Sequence, residues 1–281
     1  MTNGGPKSQT AQSVWILHIN RLILIICVSC SVSGSTQCQQ PFITDDAEVV
    51  QRRKFHLQIG NEFDILQRSK YPVLRQNFSA FELDYGLFNG VEVGVSVPLL
   101  AISHSHIREP KTIFGFSDST VHLKYNFYKE RAKSRLPAMT LSAVVQFPTG
   151  DAKTELGSGL TDYYVNGILQ KSFRSRTILR VNGGILFSGN EQTGALGIRT
   201  KGRVFTGGAS LVRQFTNRLD LGAEITGAVA GSTKPGKELL QTLIGGNYAL
   251  TEKMTFDFGV VGGHFAASPR VGLFLGISLD F

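Results

Sequence analysis

The chain has 281 residues, among them 31 Gly, 19 Phe and three Cys, with 42% hydrophobic content and a formal charge of +8. Its mean hydropathy is +0.01, and no run reaches the roughly 18 apolar residues of a membrane helix, so a helical membrane protein is excluded. A β-barrel stays open, because lipid-facing and lumen-facing side chains cancel in such an average.

The first element in chain order is Leu22 to Val28, which follows Arg21 and runs into small residues ending at Val32, Ser33 and Gly34. Basic, then apolar, then small is the order of an export signal, so residues 1-38 are expected to be a leader. Cys27, Cys30 and Cys38 lie in or beside it, which leaves no disulfide framework. Residues 39-52 lack strand patterning and are expected to form a short periplasmic N-terminal stretch or a plug.

From residue 53 to 281 the sequence divides into segments with period-two patterning bounded by turn chemistry. They span 53-66, 76-88, 91-102, 117-128, 138-148, 160-173, 177-188, 203-215, 219-231, 238-250, 254-265 and 271-281. The pattern predicts an all-β, transmembrane, antiparallel up-and-down barrel of about 12 strands. Short links at Asn89-Gly90, 174-176, 216-218 and 251-253, with 129-137 as the one long exception, alternate with longer ones at 67-75, 103-116, 149-159, 189-202 and 232-237 and the shorter 266-270. That rhythm is the one expected of periplasmic turns and outer loops. Asn89-Gly90 is the strongest hairpin signal, and both turn positions are expected at positive φ.

The last strand shows the pattern most clearly. Val271, Leu273, Leu275, Ile277, Leu279 and Phe281 alternate with Gly272, Gly276, Ser278 and Asp280. Outward faces follow in the same way, as in Phe55, Ile59 and Phe63, in Val91 to Val97, and in Val121, Leu123, Tyr125 and Phe127. Arg213 breaks the rule by sharing a face with Phe205 and Leu211, which suits a guanidinium snorkelling at the interface.

The opposite parity supplies the candidate lumen-lining residues Glu62, Glu82, Asp84, Glu92, His122, Lys124, Asp162, Arg180, Glu224 and Asp257, with His56, Asp64, Asn182 and Asp280. Isolated charges in a narrow bore are costly, so Glu82, Glu92, Glu224 and Asp257 are expected to form a network with Lys124 and Arg180. The residues imply no cofactor and no metal centre. His104-Ser105-His106 has alternate-position spacing but no clear carboxylate partner. An exported chain argues against nucleic acid as partner of the basic surplus, which falls in connections such as Arg52-Arg53-Lys54 and Lys129 to Arg135.

Two local sequences carry a family likeness. Pro41-Phe42-Ile43-Thr44-Asp45-Asp46, and Phe147-Pro148-Thr149-Gly150-Asp151 followed by Gly157-Ser158-Gly159 and Asp162, resemble the outer-membrane transporter-like family named for a meta-pathway phenol-degradation protein. The terminal Phe281 agrees with it. The resemblance spans roughly residues 41-281 and implies a monomeric barrel in the outer membrane of a Gram-negative-type cell, with a part in uptake of small, often aromatic, compounds. Its expected partners are outer-membrane lipid, lipopolysaccharide, an unidentified solute, and the barrel-assembly machinery through Phe281. Read on their own, the same residues need no ligand, since Pro148 ends a strand and Thr149-Gly150-Asp151 makes a reversal.

Three functions therefore compete. The leading expectation is a narrow, porin-like channel for small molecules without enzymatic activity. A structural or loop-presenting barrel is the second. An outer-membrane lipid hydrolase is the third, and it lacks a recognisable nucleophile setting beside its histidines.

Overall fold

The computed structural model describes residues 40-105, 107, 109-131, 134-173, 176-188, 202-230 and 238-281. The expected leader with its three Cys, His106, the turn residues 174-175 and the loops over 189-201 and 231-237 lie outside the described residues. The strands are β1 (Phe55–Leu66), β2 (Val73–Phe88), β3 (Val91–His104), β4 (Thr112–Phe116), β5 (Ser119–Tyr128), β6 (Ala138–Phe147) and β7 (Asp162–Phe173). They continue as β8 (Thr177–Ser188), β9 (Gly202–Gln214), β10 (Leu219–Ala230), β11 (Leu239–Ala249), β12 (Met254–Gly263) and β13 (Pro269–Asp280).

Each strand pairs antiparallel with its neighbours, and β13 returns to β1 with Leu57 opposite Leu279 and Ile59 opposite Ile277. The sheet is therefore closed. β3 pairs with β4 through Leu99 to Ser103 and with β5 through Val91 to Ser96. These two share one position in the wall, so thirteen strands make a twelve-position barrel.

That shared position corrects the expected loop over 103-116. The ladder runs on through His104 and resumes at Thr112. It breaks at Ser117 and Asp118, where the Asp118 carboxylate accepts from Gly150 N–H at 3.0 Å, Ser158 N–H at 2.5 Å and the Gln146 amide at 3.1 Å. Turn chemistry over 149-159 thus interrupts a strand about 30 residues away in sequence. The Asn89-Gly90 turn also differs from expectation. Only Gly90 has positive φ, at 84°, and the register slips between Gly86 and Phe88. A slip of this kind, with one left-handed glycine, belongs to the longer bulged hairpins.

Side chains alternate as the barrel requires. Leu123, Phe127, Leu141, Ile225 and Leu275 are exposed on the outer face, whereas Asp64, Asp84, Lys124, Asp162 and Asp257 are buried. An apolar outside around a polar inside inverts the soluble pattern and is stable only where hydrocarbon surrounds the cylinder. Arg213 lies one residue from the end of β9, its guanidinium 5.7 Å from the Phe215 ring centre. The sequence pattern does not reveal Asn61, which takes an outward position and donates to Asn77 at 3.0 Å and Ser79 at 2.7 Å. The three polar groups satisfy one another on an otherwise apolar face.

The stretch before β1 runs inside the cylinder. Phe42 packs with Val212, Leu243 and Val261, and Ala47 with Ala138 and Ile168. Its exit towards β1 presses on Gly86, where an added Cβ would fall 2.1 Å from the Gln51 carbonyl oxygen. At the other end, Leu156 folds inward against Leu100 and Ile102.

Candidate functional site in the barrel interior

The interior is organised by a strap over residues 40-52, because an extended backbone brings unsatisfied N–H and C=O groups into a space lined by polar side chains. Glu224 on β10 accepts from Ile43 N–H at 3.0 Å and also from Thr44 N–H. Lys124 on β5 donates to Asp45 at 2.9 Å and Asp46 at 3.2 Å. The Ala47 carbonyl accepts from Asn126 at 2.7 Å and Thr140 at 2.6 Å, and its N–H donates to Gln170 at 3.3 Å. Glu92 on β3 accepts from Val50 N–H at 2.5 Å. With its amide oriented to suit its neighbours, Asn182 accepts from Asp45 N–H at 2.7 Å and donates to Asp45 C=O at 3.1 Å.

These contacts change the expected charge network. Lys124 is within 3.9 Å of Glu92, as anticipated, but its two closest partners belong to the strap. Glu224 binds strap N–H groups, and Asp257 accepts from Asn247 at 2.7 Å and Ser278 at 2.6 Å. Arg180 Nε donates to Gln170 at 3.3 Å. The wall carboxylates therefore meet backbone N–H, amide and hydroxyl donors more than wall cations.

The remaining candidates fall into separate places. Glu82, Asp84, Glu92 and His122 converge near the strap, while Glu62 sits apart from them beside Asp64. Asp162 is buried at the start of β7. His56 Nδ1 is 2.5 Å from Asp280, and its Nε2 meets the Gln58 amide at 2.8 Å. An amide thus occupies the ring nitrogen that a serine nucleophile would need. His104 ends β3 and contacts the Pro110 carbonyl at 3.1 Å. Only a small gap, with a cavity volume of about 10 Å³, is left between strap and wall, lined by Asp46, Val50, His56, Gln58, Asp84, Glu92 and Lys124.

No protein-family model matches the sequence, and no curated protein matches it. Solved structures do. The chain aligns with an outer membrane channel from Pseudomonas putida F1 at a TM-score of 0.62 and 14% identity, over 84% of this chain and 98% of that one. KdgM porin gives 0.54 at 9% identity, over 80% and 99%, respectively. NanC porin gives 0.54 at 10% identity, over 80% and 98%. The fold is that of outer-membrane barrels.

In this barrel the strap is the part that sequence reasoning saw least. Asn126, Thr140 and Gln170 hold it, yet nothing distinguishes them from other inward polar residues in the sequence. The one available signal was Pro41 to Asp46, an unpatterned stretch with two adjacent acids. Chemically the interior offers donors and acceptors in a confined bore, with the Lys124 ammonium seated between two strap carboxylates.

Proposed function

We propose that the protein is a narrow outer-membrane channel for small molecules, held shut by its strap. The observation that carries this reading is a polar bore crossed by 40-52 and bonded to it on several strands. A scaffold needs only a filled interior. Apolar side chains fill an interior more cheaply than buried carboxylates, whose retention requires compensating bonds. The short-turn end, which holds both the start of β1 and Phe281, faces the periplasm in this proposal. Phe281 is the residue offered to the assembly machinery, and the Phe55 ring stacks on it at 5.6 Å between centres. The monomer sits among lipid and lipopolysaccharide and has no enzymatic activity. Small aromatic solutes are proposed from the resemblance carried by Pro41 to Asp46.

The test is single-channel recording in planar bilayers together with liposome uptake of benzoate and toluene. Lys124→Met removes the cation that holds Asp45 and Asp46, and should raise open probability at least tenfold over the unaltered protein. Silence from both proteins, with folding verified by heat-shifted electrophoretic mobility, would establish a scaffold instead.

A further inference from the structure

Glu82 and Asp84 on β2, Glu92 on β3 and His122 on β5 meet on one inner patch because their strands are neighbours and share parity. Asp84 Oδ1 lies 3.3 Å from His122 Nε2, and Glu92 Oε1 lies 3.5 Å from the same nitrogen. Glu82 lies 4.0 Å from the other ring nitrogen, Nδ1. Glu82, Asp84 and His122 each offer a ligand atom, all within 4.8 Å of one another.

Three further observations point to a ligand at this patch. The Asp84 side chain is 4% exposed, and its Oδ1 makes no hydrogen bond although His122 Nε2 lies only 3.3 Å away. Two atoms that face a common point without bonding each other leave room for a third. Gly94, opposite both, keeps the space open, since a Cβ there would fall 2.0 Å from Asp84 Oδ1 and 2.6 Å from His122 Nε2. The charge is also unbalanced. Asp45, Asp46, Glu82, Asp84 and Glu92 gather around one Lys and two His, of which Lys124 is already committed to Asp45 and Asp46 and His56 to Asp280. Carboxylates brought together in a desolvated interior call for cationic compensation.

We propose that Asp84, Glu92 and His122, with Glu82 beside them, bind a divalent first-row metal ion inside the barrel. Two ligands about 2.1 Å from a tetrahedral ion lie roughly 3.4 Å apart, which matches the Asp84 and Glu92 spacings to Nε2. One imidazole with carboxylates suits Zn²⁺ or Mn²⁺ better than a purely oxygen-seeking ion. Glu82, on the Nδ1 side, would orient the ring and leave Nε2 free to coordinate. Glu92 also accepts from Val50 N–H, so the ion would sit where wall and strap meet. The proposal does not depend on transport.

The experiment uses the untagged full chain in detergent, stripped with chelator and titrated with Zn²⁺ alone or Mn²⁺ alone. About one equivalent should bind per chain and survive gel filtration. Asp84→Asn and His122→Gln should each weaken binding at least tenfold, while Glu62→Gln, on the same wall but outside the patch, should bind as the unaltered protein does. Equal affinity in all of them would overturn the site. Because a wall variant can fail to fold, Cu²⁺-loaded unaltered protein provides a second reading by electron paramagnetic resonance. Coupling to one imidazole nitrogen supports the site, and absence of nitrogen coupling refutes it.

Discussion

At the scale of single residues, what counts is which side of the wall a side chain occupies. Leu275, 44% exposed midway along β13, points to lipid, while its neighbour Gly276 faces the strap, where a Cβ would meet the Gln40 amide oxygen at 2.8 Å. Leu275→Arg should therefore cost about 2 to 4 kcal/mol in refolding titrations into lipid vesicles, the range for arginine at the midplane. Gly276→Arg should cost less in that assay and disturb the interior instead. If the inward change proved the worse for insertion, the two faces would have to be exchanged. Parity made this distinction legible in the sequence, because a period of two is shared by every strand regardless of its neighbours. Asn61 was not legible, since an isolated Asn on the outer face looks like an error until its partners Asn77 and Ser79 are brought beside it by pairing of β1 with β2.

At the scale of elements, the connections explain most departures from the reading of the sequence. The five residues of β4 were too short to show a period, and the break that follows them comes from Asp118, whose partners Gly150 and Ser158 belong to another loop. The link between β5 and β6 is held in a similar way. Glu130 accepts from Lys171 Nζ and from Ser172 N–H at 2.9 Å. Slight desolvation pulls its carboxyl upward, but the ammonium and the N–H outweigh this and hold its pKa below the ordinary glutamate value. A lowered pKa contributes stability that is present above the unfolded value and lost as pH falls through the folded one. Glu130→Gln should thus cost about 0.5 to 1 kcal/mol near neutrality. The difference between the two melting curves should close in acid, below the usual glutamate range. A gap that persisted in acid would mean the carboxylate is not the stabilising form. Gly86 presents a different case, because the Gln51 carbonyl occupies the place of its missing side chain. Gly86→Ala must push the strap away or distort β2, and should lower stability by about 1 to 3 kcal/mol, the usual cost of overpacking. Thermal melts in detergent would measure it, and an unchanged midpoint would show that the strap yields freely.

At the scale of the whole molecule, closure was readable and the filling was not. The apolar alternation of Val271 to Phe281 announced a strand that must be paired on both edges, and β1 and β12 supply the two partners. Of the inward acids, Asp84, Glu92, Asp162, Glu224 and Asp257 are buried, but their partners could not be inferred from the sequence. Glu224 bonds to Thr44 across 180 positions, and the partner residue lies in a segment with no period to read. The strap's anchors are spread around the circumference, on β3, β5, β6, β7 and β10. Releasing only one leaves a charged or polar group facing a dry gap too small to hydrate it, which costs more than the bond itself. Withdrawal and flooding with water would consequently be a single event, and if the chain conducts as proposed, its current should come in abrupt, full-height steps with no graded leak between them.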